Sequence, residues 1–192
     1  DSMEYRSSKR ASFATLELTK SVDKVIDRFP ILINGKDKAG DFYRQNFAGM
    51  FAYVTHRIPE ISDELYKIDD AMKAGFGWEH GPFEIWDAVG LDKGLELMEA
   101  AGKEPAAWIQ EMKAAGATSF YTVKDGATYY YDIPQKKHVK VPGQDAFIIL
   151  DNIRKSNEVF KNSGVVVEDL GDGILNCEFQ SKMNSIGGDV LT

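Results

Sequence analysis

Cysteine is nearly missing from this chain: its 192 residues include one, Cys177. A single thiol closes no internal disulfide, which fits a reducing cytoplasm. Basic side chains are outnumbered, 23 against 30 acidic ones, for a formal charge of −7, so a nucleic-acid surface is excluded. No apolar run approaches the ~20 residues of a membrane helix, so no membrane insertion is expected. The polar opening Asp1–Arg10 has no apolar stretch behind it and is not a signal peptide. Asp1-Ser2-Met3 is an odd natural start and reads as an added scar or an internal cut. Nucleotide signatures are missing too. No Gly-x-Gly-x-x-Gly follows a strand, no Walker loop exists, and Gly75-Phe76-Gly77 lacks both the strand and the third glycine.

Helix formers dominate from about Ser8 to Gly116. Phe13, Leu16, Leu18, Val22, Val25 and Ile26 form a first stripe, with an end predicted at Phe29-Pro30 because the residue before proline resists helical geometry. Phe42, Phe47, Met50, Phe51 and Val54 form a second stripe, running to about Arg57 and closed by Pro59. Ser62 with Asp63 is predicted to cap a third helix through Leu65, Ile68 and Met72, which Gly75 and Gly77 end. Gly81-Pro82 restarts a helix through Phe83, Ile85, Trp86 and Val89. Leu91–Ala101 and Pro105–Ala115 supply two more.

Beyond Gly116 the pattern is extended. Ser119–Val123 and Ala127–Ile133 predict a hairpin about Asp125-Gly126. Lys136–Gly143 reads as a basic connector, and Ala146–Lys155 is ambiguous, docking through Phe147, Ile149 and Leu150. Val165–Leu170 and Ile174–Phe179 predict a second hairpin about Gly171–Gly173, and Asn184–Leu191 looks ready to begin a helix. A lone hairpin is marginal, so residues beyond Val165 are expected to be mobile or swapped into a neighbour.

Several constellations carry possible chemistry. Glu79, His80 and Glu84 are the one set near metal-ligand spacing; a solvated turn before a helix is the plainer reading. Asp69-Asp70, and Glu84 with Asp87 on one helix face, suit acid–base work if one is buried, or a solvated face complementing the helix dipole. A small stand-alone enzyme using His80, Glu84 and Asp87 is therefore one reading. Phe76, Trp78, Phe83 and Trp86 read as core at a helix corner. Lys136, Lys137, His138 and Lys140 form a basic patch, either an anion site or a solvated loop. Cys177, with no basic neighbour, reads as a packed or idle thiol.

Ile68-Asp69-Asp70-Ala71-Met72, Gly75-Phe76-Gly77-Trp78 and Gly81-Pro82-Phe83-Glu84-Ile85-Trp86-Asp87-Ala88-Val89-Gly90-Leu91-Asp92 together resemble the C-terminal helical domain of the 3-hydroxyacyl-CoA dehydrogenases over about Phe47–Ala101. Asp169–Ile174, followed by Ser181–Ile186, resembles the first hairpin of the enoyl-CoA hydratase (crotonase) family. In this order the two resemble fusion proteins of fatty-acid β-oxidation, with NAD as the parent's cofactor and acyl-CoA as its substrate.

The resemblance implies a mainly α fold of the dehydrogenase C-terminal type. Its parts are a helical domain over 1–116, a β-hairpin and linker over 117–164, and the start of a truncated hydratase-like domain over 165–192. The family's substrate-facing asparagine belongs to a Gly-Phe-x-x-Asn-Arg helix, where this chain has Asp41-Phe42-Tyr43-Arg44-Gln45-Asn46. That departure implies the second, degenerate helical copy. The implied partners are an N-terminal Rossmann domain, a first helical copy, the rest of the hydratase and, as an option, a second copy of the chain. Ser185–Asp189 follows the strand pair too closely to be a hydratase oxyanion loop. No catalytic, cofactor-binding or metal residue is assigned to this chain. The rival reading is a helical binding or dimerisation module.

Overall fold

A computed structural model describes Tyr5, Ser7, Ser8 and residues 10–191; Asp1-Ser2-Met3, read above as a scar or cut, lies outside them. The chain divides into two compact units, 1–121 with 130–139, and 122–129 with 140–192.

The first unit carries seven helices: α1 (Ala14–Thr19), α2 (Val25–Asn34), α3 (Lys38–His56), α4 (Leu65–Phe76), α5 (Pro82–Val89), α6 (Leu91–Ala100) and α7 (Ala107–Ala114). Asp37 caps α3, accepting from Ala39 N and Gly40 N at 3.1 Å each. The same carboxylate accepts from Thr15 N at 3.0 Å and Thr15 Oγ1 at 2.8 Å, tying α1 to α3. The N–H of Thr15, chief among these donors, holds Asp37 down at about 2. Gly77 ends α4 in the left-handed region at φ 66°, which glycine enters without steric cost.

The core is a stack of rings. Phe51 lies on Trp86 with centroids 4.8 Å apart, Phe120 meets Trp86 at 4.9 Å and Phe83 at 5.0 Å, and all four are fully buried. Burying one such ring contributes about 1.5–3 kcal/mol. Trp86 Nε1 donates to Leu91 O at 3.2 Å and Trp108 Nε1 to Thr55 O at 3.0 Å, so neither indole N–H is orphaned.

Several expectations need correction. Pro30 does not end its helix; α2 runs through it to Asn34, because Leu32 and Ile33 are buried and their packing outweighs the lost backbone bond. The stripe before it divides into α1 and α2. Ser62 and Asp63 do not cap α4, which starts at Leu65 behind Glu64; Ser62 Oγ instead accepts from Glu64 N at 3.2 Å. Phe76 and Trp78 are not core, being 75% and 39% exposed. Lys137–Lys140 is not a plain connector but the third strand of a sheet β1 (Tyr121–Lys124), β2 (Ala127–Asp132), β3 (Lys137–Lys140), in that order. Its first turn has positive φ at Asp125 and Gly126, the geometry an Asp-Gly hairpin demands.

The second unit holds α8 (Leu150–Asn157) and an antiparallel sheet β4 (Glu158–Lys161), β5 (Val165–Gly171), β6 (Ile174–Phe179). Val165 pairs with Phe179, Val167 with Cys177 and with Phe160. The unforeseen β4 makes three strands, α8 packs against β4 and β5, and the hairpin pairs within the chain. Arg154 on α8 reaches Glu178 Oε2 at 2.5 Å and Asp151 Oδ1 at 2.7 Å. The buried Glu168 accepts from Asn176 Nδ2 at 2.9 Å and lies 3.5 Å from Arg154 Nε. Phe147 does not dock; it is 59% exposed. Cys177 is free and exposed, so the expected packing is overturned and the idle alternative is left. A 3-10 turn at Lys182–Asn184 and a four-residue helix α9 (Gly188–Leu191) follow.

Candidate functional site: three carboxylates at a helix corner

The densest polar cluster of the first unit lies where α4 turns into α5. Glycine at position 81 has no side chain with which to cap α5, and Asp69 supplies the cap from α4. Its Oδ1 accepts from Phe83 N at 3.0 Å and its Oδ2 from Glu84 N at 3.1 Å. A Cβ on Gly81 would lie 2.2 Å from Asp69 Cβ, so the residue must be glycine for the carboxylate to reach the amides. Glu84, at the third position of α5, reaches back to Gly81 N at 2.8 Å and takes Lys73 Nζ at 2.8 Å on its other oxygen. Tyr121 OH donates to Asp69 Oδ2 at 2.9 Å. Asp87 accepts from Phe120 N and Tyr121 N at 2.8 Å each, pinning the start of β1 to α5.

Burial dominates the electrostatics. It pushes Asp69 up to about 7, against the N–H of Phe83 and with the charge of Glu84 adding to it. It does the same to Asp87, up to about 7, against the amides of Phe120 and Tyr121. Burial also raises the phenol of Tyr121 far above its ordinary value, with Asp69 adding, so the phenol stays a donor. Burial pulls Lys73 down, but Glu84 and Asp70 together raise it.

These carboxylates therefore do not form a solvated helix face; Asp69 is fully buried. Both oxygens of all three accept hydrogen bonds from protein donors, whereas a general base needs a lone pair within reach of a substrate proton. His80 Nδ1 stands 3.9 Å from Glu84 Oε2 and its Nε2 3.7 Å from Glu79 Oε1, both outside hydrogen-bond distance. The structure thus brings Asp69, Glu84 and Asp87 together but links His80 into no relay. Among the described residues no group of three His, Cys, Asp or Glu is placed to hold a metal.

Gly75-Phe76-Gly77 ends a helix rather than joining a strand to one, so the residues present do not fit a dinucleotide phosphate. The basic patch does not converge: Lys136 pairs with Glu111 at 2.8 Å, Lys140 with Asp145, and His138 Nε2 meets Ser119 O at 3.0 Å. Tyr121 and Lys73 were not foreseen. Lys73 sits four residues after Asp69 and three after Asp70, a helical pairing that was readable; Tyr121 is 52 positions from Asp69 and gave no local signal.

The family model for the 3-hydroxyacyl-CoA dehydrogenase C-terminal domain matches residues 43–130, the stretch that contains this corner. Residues 43–130 belong to that family. The match begins within α3, includes the corner and ends in β2. A Bacillus subtilis (strain 168) protein named a probable 3-hydroxyacyl-CoA dehydrogenase is 37% identical over 177 residues, 92% of this chain. A Rickettsia prowazekii (strain Madrid E) protein named "Putative fatty acid oxidation complex trifunctional enzyme" is 29% identical over 66 residues, 34% of this chain and 9% of the relative. The chain spans about a fifth (22%) of the length of the B. subtilis relative. No solved structure matches. No helix among the described residues is long and apolar enough to cross a membrane.

Proposed function

We propose that this chain is the central part of a longer, NAD-dependent 3-hydroxyacyl-CoA dehydrogenase that also carries an enoyl-CoA hydratase, and that its own role is packing. The parent would act on acyl-CoA thioesters in fatty-acid β-oxidation in the cytoplasm. The observation that carries the reading is the corner itself: Asp69, Glu84 and Asp87 are committed to Phe83, Glu84, Gly81, Phe120 and Tyr121 amides, and they hold α4, α5 and β1 together instead of facing a substrate. The names of the B. subtilis and Rickettsia relatives support the dehydrogenase and the fatty-acid context. Asp169–Ile174 and Ser181–Ile186 support a hydratase-like segment over 165–192. Partners of the packing are a Rossmann domain, a first helical copy and the remaining hydratase.

The purified chain is expected neither to reduce NAD with 3-hydroxybutyryl-CoA nor to hydrate crotonyl-CoA. Turnover of either would overturn the packing role, and its loss in His80→Ala with the fold kept would favour a stand-alone enzyme. Self-association is the second reading, favoured by Phe76 and Tyr53, which are 75% and 60% exposed. A monomer by light scattering at high micromolar concentration removes it.

A further inference from the structure

Asn34-Gly35 is the one Asn-Gly pair in the sequence, and the packing role assigned to the corner does not use it. Such a pair carries its own chemistry. The Gly35 amide nitrogen attacks Cγ of the Asn34 side chain; the new N–Cγ bond replaces the Cγ–Nδ2 bond, and Nδ2 leaves as ammonia with the amide proton. Water then opens the cyclic imide at either carbonyl, giving aspartate or an isoaspartate whose main chain runs through Cβ. Nothing is oxidised or reduced. Glycine favours the attack, because no side chain shields its nitrogen or restricts its backbone.

The fold ties up both reacting groups. Asn34 is exposed, so water reaches it, and it is the last residue of α2. Its Nδ2 donates to Pro30 O at 2.8 Å, which turns the side chain back along the helix and away from the Gly35 nitrogen. The Gly35 N–H donates to Leu32 O at 3.4 Å. Arg44 Nη1 donates to Ile33 O at 2.7 Å and to Gly35 O at 2.5 Å, fixing the carbonyls on both sides of Asn34. Gly35 itself is wedged. A Cβ on it would lie 2.2 Å from Thr15 Oγ1, and a Cβ on Gly40 would lie 2.1 Å from Gly35 O. Thr15 is held in that place by Asp37, the carboxylate that ties α1 to α3.

We propose that Asn34 is a self-modification site latched by α1: silent while Thr15 sits on Gly35, and reactive once α1 comes away. An isoaspartate lengthens the main chain beside Gly35, where Thr15 and Gly40 leave no room. An aspartate puts a negative charge at the C-terminal end of α2, which the helix dipole disfavours. Both products weaken the docking of α1.

The test incubates the whole chain at neutral pH and follows Asn34 by mass spectrometry in the tryptic peptide Phe29–Lys36, with the same peptide free in solution beside it. The folded chain is expected to lose the Asn34 amide more slowly than the free peptide by roughly tenfold or more, the ratio that local opening sets. Thr15→Val keeps the shape but removes the hydroxyl bond to Asp37, and is expected to speed the loss severalfold. Asn34→Gln is expected to stop it, because the ring that would form is larger. Hydrogen exchange at the Thr15 amide is expected to quicken in chains that carry the isoaspartate. A folded chain that reacts as fast as the free peptide overturns the latch, as does a folded Thr15→Val variant that reacts no faster. If Thr15→Val does not fold, the comparison of the native chain with the free peptide decides. Unchanged Thr15 exchange in the modified chain overturns the effect on α1.

Discussion

The helix corner and the second sheet place similar residues in opposite settings. At the corner, Phe51, Phe83, Trp86 and Phe120 are fully buried and the carboxylates beside them are joined to backbone amides. On β4–β6, register and alternation put Phe160, Leu175, Cys177 and Phe179 on one face, and all four are exposed. The opposite face of that sheet has a buried charge, Glu168, answered by Arg154 and Asn176. Apolar content alone therefore does not make a core. A core forms where several elements converge and their backbone donors find acceptors, and the corner achieves both through Asp69 and Asp87.

The comparison breaks most readily at Asp69. Asp69→Ala removes the cap of α5 and strands the Tyr121 hydroxyl, with an expected loss of about 2–4 kcal/mol. Urea unfolding followed by tryptophan fluorescence measures it, since Trp78, Trp86 and Trp108 all lie in the first unit. Hydrogen exchange in β5 and β6 is expected to stay unchanged; a loss below about 0.5 kcal/mol would show that the cap is replaceable.

Acidity sharpens the same contrast. Asp69 and Asp87 titrate at about 7 in the fold against about 4 when unfolded. The folded chain holds the extra protons between those values, so this contribution is fully present below about pH 4 and is lost as the pH rises through about 7. Asp37 runs the other way: lowered to about 2, its contribution is present above about pH 4 and is lost below it. The fluorescence-detected midpoint is thus expected to be higher near pH 5 than near pH 8, and Asp87→Asn is expected to flatten the difference. A higher midpoint at the alkaline pH contradicts the burial argument.

The smallest effect is expected on the open sheet face. Leu175→Ser, at a residue 60% exposed, should change stability by no more than about 0.5 kcal/mol. A cost comparable to that of Asp69→Ala would mean that this face is packed after all.

Much of the helical unit was legible because its signals are local. Gly77 and Pro82 stand at the two ends they announce, and the 3.6-residue stripes of α3 and α5 mark their buried sides. The Asp125-Gly126 turn likewise needs only two residues of positive φ. Other features were not local. Pro30 reads as a stop until Leu32 and Ile33 are seen to be buried. Phe76 and Trp78 read as core beside Phe83 and Trp86, but Gly77 swings the chain out after α4, and both rings stay at the surface. The strand β4 has only four residues, too few for its alternation to stand out.

The acidic motifs give the sharpest division. The sequence by itself determined the family resemblance, the helix ends and the restart of a helix at Gly81-Pro82, because each rests on a pattern within a few residues. It also placed Asp69, Glu84 and Asp87 in one short stretch. Only the tertiary structure decided what they do. A carboxylate becomes a base or a strut according to which donors meet its oxygens, and those of Asp69 and Asp87 come from positions 14 to 52 residues away.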